Sequence, residues 1–384
     1  MTAQQIAAAD QAFYAAAVRK SVRIPSQNVS SGQVIQFPMP KSGIGCFAVA
    51  TFAGTLSRTE GATVGTVNKS PWGPYNALQG ISFSDYAGLQ RLISLDGWQL
   101  EQRRRVQVLR QDSQLVPPGG QAAPSYQSSL FAFSIPAGVA NSTVTSTLNF
   151  QVLIPFSVRH NSVRGSFVFA TPDGQSVLSI GIQPQVTMVA SGATPTPENL
   201  VEIPYVAGAT TTVSISGTLT LTYYYYDAAV GTPVPIGEIS QVYELASVKN
   251  TSGLAASSIS QFILPTGKTY LRLFEDLVLA GVPTSTAVAS LKFLVDSSSP
   301  TTDENLLEYL ARMNDLYGQP LPDGGFIWDW FGKPWTPSQY GSLEADLSLT
   351  STATTTAPSF RRSMRECLYV ARANAQLTKI GSVA

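Results

Sequence analysis

Few residues in this 384-residue chain could carry chemistry, because it holds one histidine, two cysteines and 24 acidic side chains. His160 stands in SVRHNSVRG. A single imidazole without a cysteine or carboxylate cluster does not make an ordinary zinc site, and no G-x-S-x-G elbow offers it a serine to activate. TGKTY, Thr266 to Tyr270, has the ending of a phosphate-binding loop. The glycine that motif needs five positions before Gly267 is replaced by Phe262, so the stretch reads as a turn. Glu304, Glu308, Asp315, Asp323 and Asp329 offer material for an acid/base pair, although carboxylates beside a helix and its loops are ordinarily just solvated. The expectation is no catalytic residue, no metal and no cofactor. Cys46 and Cys367 lie in apolar, strand-like contexts, GCFAVATF and ECLYVA, where free buried thiols are ordinary. Met1 to Lys20 lacks the apolar run of an export signal, and a disulfide is therefore not expected.

The one basic run is Arg103-Arg104-Arg105, with Arg91 and Arg110 nearby. Phosphate binding would need a wider basic face, whereas 24 basic residues balance 24 acidic ones and Asp96 and Glu101 adjoin the run. Arg103, Arg104 and Arg105 are thus expected to make a salt-bridged subunit contact, with no sequence-specific nucleic-acid binding. Only 12% of the chain is charged, about half the usual share. Interface cores are depleted in charge, so this suits a surface covered by neighbouring copies. The sequons at Asn28, Asn68, Asn141 and Asn250 are expected by chance in so Ser/Thr-rich a chain. A competing reading, a secreted or surface β-sandwich that binds carbohydrate, would use Trp328, Trp330 and Trp335 as stacking platforms.

The elements around these residues are mostly strands. In TTTVSISGTLTLTYYYYD, Thr210 to Asp227, apolar and hydroxyl residues alternate with the period of a half-buried strand. Similar runs precede it (VIQFPM, CFAVATFAG, TVTSTLNFQVLIPF) and follow it (EISQVYELA, TYLRLFEDLVLA, ASLKFLV, ECLYVA). TPTPENLVEIP, residues 194–204, reads as a linker. Two all-β halves of sandwich or jelly-roll type result, over 21–193 and 205–384. A helical arm over 1–20 precedes them, with Ile6, Phe13 and Val18 apolar and Arg19 and Lys20 at its end. TTDENLLEYLARMNDLYGQP predicts an inserted helix with a capping box from Thr301 to Glu304. Tyr126 to Val158 carries no charge, but Pro136, Gly138 and Pro155 break it, so it reads as strands and not as a membrane span.

Specific residues add a family. GPYNALQGI (Gly73 to Ile81), Gly97-Trp98-Gln99-Leu100, and STLNFQVLIPFSVRHNSVRGSFVFATPDGQSVLSIGI (Ser146 to Ile182) resemble the first jelly roll of tectivirus-type major capsid proteins, which coat tailless icosahedral viruses, bacteriophages among them, that carry an internal membrane. The second half is similar more loosely, through the helix from Asp303, GGFIWDWFGKPW and ECLYVARANAQL. The chain departs from the family in lacking a long glutamine-rich N-terminus and in its PPGGQAAPS loop. The resemblance implies an all-β double jelly roll of two eight-stranded units, and a pseudo-hexagonal homotrimer with strands standing across the shell. It places the chain in the virion, made in the host cytoplasm, with neighbouring capsomers and minor capsid and vertex proteins as partners. It also implies an N-terminal helix beneath the shell, which makes Ile6, Phe13, Val18, Arg19 and Lys20 candidates for contact with the internal membrane or a neighbour.

Overall fold

The alternation of Thr212–Asp227 becomes a 16-residue strand whose apolar side chains Val213, Ile215, Leu219, Leu221, Tyr223 and Tyr225 are all buried. In the computed structural model, which describes residues 2–29, 33–84, 91–112, 134–169, 178–184, 196–227, 232–296, 299–317, 321–330, 332–336, 342–353 and 358–370, it is the tenth strand. Before it come α1 (Ala3–Ala16), β1 (Val18–Asn28), β2 (Ile35–Pro38), β3 (Ile44–Thr59), β4 (Asn68–Lys69), β5 (Leu78–Ser84), β6 (Arg91–Leu95), α2 (Gly97–Asp112), β7 (Thr143–Pro155), β8 (Ser179–Pro184) and β9 (Val201–Glu202); the strand itself is β10. After it come α3 (Ile236–Ile239), β11 (Gln241–Asn250), β12 (Ile259–Ile263), β13 (Lys268–Leu279), β14 (Val282–Pro283), β15 (Val288–Val295), β16 (Ser299–Asn305), α4 (Leu306–Tyr317), β17 (Gly325–Asp329), β18 (Leu343–Leu349) and β19 (Phe360–Val370).

The walls of the first unit are β1-β10-β3-β7 and β2-β8-β5-β6; those of the second are β11-β19-β13-β17 and β12-β18-β15-β16. Each unit is an eight-stranded jelly roll. β10 pairs with β1 on one side and β3 on the other, so it closes the first jelly roll and does not open the second. The expected boundary therefore moves: residues 205–227 belong to the first unit, and the presumed linker over 194–204 contains β9, which pairs with β4. Alternation reveals a strand's buried face but says nothing of its partners, and here a partner lies far back in sequence. The two units are continuous. β6 pairs in parallel with β11 through Ile93 and Leu245, joining one wall of each into a nine-stranded sheet, and one hydrophobic core runs through both.

Two helix ends also differ from expectation. α1 carries a capping box between Thr2 and Gln5 but stops at Ala16. Val18, Arg19 and Lys20 are the first residues of β1, paired with Asp227, Tyr226 and Tyr225, and not the end of a helical arm over 1–20. In α4 the capping residue is Asn305, whose side-chain oxygen accepts from the Leu307 and Glu308 amides at 3.0 Å while Glu308 accepts from its amide. Thr301 and Glu304 lie in β16, Glu304 paired opposite Leu291 of β15 and Thr301 at a bulge in that ladder, so the box sits four residues later than expected. Cys46 and Cys367 are buried free thiols. Among the described residues no helix is long and apolar enough to cross a membrane.

Candidate functional site

The junction between the jelly rolls is built on α2. This helix runs without glycine or proline after Gly97, and Trp98, Gln102 and Val106, spaced four apart, are buried on one face. The same spacing, available in the sequence, would have located the helix. Trp98 stacks on Trp72 at 5.8 Å. One residue on from Gln102, Arg103 is only 2% exposed. It donates to Glu366 at 3.0 Å and to the Tyr243 hydroxyl at 2.8 Å, both in the second jelly roll. Glu366 is held on its other oxygen by Arg272 at 3.1 Å. Arg272 lies 3.3 Å from Asp329, and Asp329 accepts from Tyr317 of α4 at 2.5 Å. A buried relay of alternating charge thus crosses from α2 to β19, β13, β17 and α4. Burial alone would push the Glu366 carboxyl up, but the guanidiniums of Arg103 and Arg272 and the Tyr243 hydroxyl outweigh it and hold it below the usual carboxylate range.

Beside the relay lies Asp276, which accepts from Gln102 at 2.5 Å and from the Trp98 indole at 3.4 Å. Its surroundings favour the protonated form: burial pushes it up to about 6 against the opposing pull of Arg362, Gln102 and Trp98. Arg362 reaches back to the first jelly roll, 3.3 Å from Asp96 and paired with Glu198, and Lys249 bonds Glu198 at 2.7 Å.

These positions correct the reading of the arginine run. Arg103 is not a subunit contact, because it lies wholly inside its own chain. Arg104 and Arg105 are partly exposed, and both hold Glu101, at 2.7 and 2.9 Å. The arm is corrected as well. Phe13 is buried among Ile44, Cys46, Phe47, Val163 and Ile239, Ile6 lies against Gly237 of α3, and Asp10 accepts from the Gly237 amide at 3.2 Å. A helix of this length is marginal alone and needs a partner; it finds one in its own chain. Of the expected contact residues, Val18 is 61% exposed, Arg19 lies over the Phe47 and Tyr224 rings at 5.3 and 5.7 Å, and Lys20 bonds Asp227 at 2.7 Å.

Most of the residues weighed for catalysis are occupied structurally. Glu304 is held by Arg312, Glu308 caps α4, Asp323 accepts from the Ser285 and Gly324 amides, and Asp329 belongs to the relay. His160 is half-buried, its pKa lowered by burial and then by Arg103 and Arg19. Gly267 adopts φ +80° in the turn before β13, as its sequence implied. Among the described residues no cluster of His, Cys, Asp or Glu is arranged to hold a metal. Trp328 is only 3% exposed and is no stacking platform.

Two jelly rolls in tandem, sharing a sheet and a core, decide the architecture. The fold is the double jelly roll. The STIV major capsid protein shares it with a TM-score of 0.59 at 14% identity, over 92% of this chain and 97% of that one. A chain from the atomic structure of Sulfolobus turreted icosahedral virus gives 0.60 at 15% identity, over 95% and 96%, and one from the PBCV-1 virus capsid gives 0.54 at 10%, over 92% and 94%. No family model and no curated protein matches the sequence. The expected all-β double jelly roll is therefore borne out as a fold, with capsid proteins as its structural neighbours.

Proposed function

We propose that the chain is a major capsid protein that assembles as a homotrimer, its six jelly rolls giving a pseudo-hexagonal capsomer in the icosahedral shell of a tailless virus with an internal membrane. The observation that carries this reading is the rigid pairing of two jelly rolls in one chain: a shared sheet, a shared core and the Arg103–Glu366 pair fix their relation. A coat subunit needs that rigidity, since angular play between two barrels would spread over every lattice contact. In this reading the chain resides in the virion after synthesis in the host cytoplasm. Minor capsid and vertex proteins are its other partners, and Val18 with its neighbours on β1 faces the membrane or an adjoining capsomer. Sedimentation of the purified chain at micromolar concentration, with electron microscopy of the same material, tests it. Trimers with a hexagonal outline are expected; a stable folded monomer overturns it.

A further inference from the structure

A cleft of about 470 Å³ opens beside the second jelly roll, and Tyr317, Asp329, Trp330, Lys333 and Trp335 are among the residues lining it. It lies next to the far end of the charged relay. We propose that this cleft is a binding site for an acidic saccharide, a function that goes beyond the coat reading and does not depend on it.

The aromatic walls are set before any ligand arrives. Trp330 and Trp335 both rest on Phe293, with ring centroids 4.7 and 5.7 Å away. Their backbones are tied to β13, through Trp330 N to Leu271 O at 2.9 Å and a reciprocal Tyr270–Trp335 pair at 2.7 and 3.1 Å. Both remain half-buried, so indole surface is available without an ordering cost. The C–H face of a sugar ring stacks on such a surface while its hydroxyls seek polar partners at the rim.

Charge selects among saccharides. Asp329 is already compensated, by Arg272 at 3.3 Å and by the Tyr317 hydroxyl at 2.5 Å. Lys333 is exposed, and its ammonium has no ion pair among the described residues. The turn that presents it is fixed by Lys333 N to Trp330 O at 2.9 Å. Asp329 and Lys333 are the charged residues lining the cleft, and of the two Lys333 has no ion pair among the described residues, which suits a carboxylate or sulfate on a sugar. A lipid tail would gain nothing from Lys333 and Asp329. A nucleic-acid strand would need a basic track along its backbone, and this site offers one ammonium.

The test is titration of the full-length protein with trigalacturonate and with a sulfated trisaccharide, against neutral maltotriose, followed by calorimetry and tryptophan fluorescence. Saturable binding of at least one acidic probe at one site per chain is expected, with maltotriose weaker. Lys333→Gln should weaken the acidic probe roughly tenfold, about 1.4 kcal/mol, and leave maltotriose and the melting temperature unchanged. Trp335→Phe, which keeps a ring on Phe293 but shortens the platform, should weaken both sugars. Absence of saturable binding by either acidic probe overturns the proposal, as does equal affinity in Lys333→Gln. Binding to free subunits that vanishes on assembled particles also overturns it, because a neighbouring copy would then be the occupant.

Discussion

Glu366 shows why a single side chain can matter more here than its neighbours on the surface. It compensates two buried guanidiniums at once, Arg103 at 3.0 Å and Arg272 at 3.1 Å, and removing one partner of a buried pair strands the other. Glu366→Gln should cost about 3–5 kcal/mol, read as a lower midpoint in urea unfolding. Asp276 acts in the opposite sense. Its folded pKa, about 6, lies above its ordinary value of 3.8, so the folded state holds the proton more tightly. The penalty for burying its charge is absent below pH about 4, grows as pH rises and is complete above about 6; it amounts to about 3 kcal/mol. The stability of wild type relative to Asp276→Asn should therefore fall as pH rises from about 4 to about 6, when unfolding is measured at each pH; a flat difference contradicts the assignment. The arginine run was legible in the sequence, but not which arginine turns inward. Successive residues on a helix point about 100° apart, so a run of three cannot share one environment. Arg103 goes inside because Trp98, Gln102 and Val106 set the buried face beside it.

At the scale of elements, α1 is fastened by two aromatics and a few other contacts: Phe13 in its cluster, Tyr14 edge-on to Tyr226 and accepting from the Val163 amide at 3.1 Å, Ile6 against Gly237, and Asp10 at α3. β1 starts only at Val18, so neither jelly roll owes a strand to the helix. Phe13→Ala should therefore release α1 locally, with rapid hydrogen exchange over residues 3–16, while the main thermal transition moves little. A large drop in that transition would make the helix part of the core. The strands themselves were largely readable: β3, β7, β10, β13, β15 and β19 all follow apolar runs noted in the sequence. Their grouping was not. The alternation of β10 does not tell which unit it belongs to, because its side-chain period is identical whichever neighbours it has. β16 was hidden because Thr301 and Glu304 mimic a cap, and the true cap, Asn305, differs only in where the strand lets go.

Across the whole molecule the shortage of charge takes on a different meaning. Low charge suits a covered surface, yet a good part of what charge there is lies inside, in Arg58, Arg103, Arg272, Glu275, Arg361 and Glu366. Arg361 pairs with Glu275 at 2.6 Å within the second unit, and Arg103 and Arg362 tie that unit to the first. With the core and one sheet also shared, the two jelly rolls should unfold together. One calorimetric transition is expected for the full chain, and residues 241–370 alone should not melt cooperatively, since Glu366, Asp276 and Arg362 would lose their partners. Two separate transitions would show that the junction is weaker than its contacts imply.

The position of β10 also sets a clock. Lys20 and Asp227, bonded at the end of the β1–β10 ladder, are 207 positions apart. At about 5–20 residues per second of synthesis, the first strand waits about 10–40 s for its neighbour to be made. Meanwhile β3 can pair with β7 but carries one open edge of unpaired backbone N–H and C=O groups, beside the apolar face of Ala48, Ala50 and Phe52, and open edges of this kind invite pairing with other chains. Nascent chains arrested before Asp227 should therefore engage chaperones or aggregate, whereas those arrested beyond it should present a closed first barrel. The strand that completes the first unit is thus also the step at which each chain leaves its most vulnerable state, and the number of sound chains a cell yields depends on how fast that point is passed.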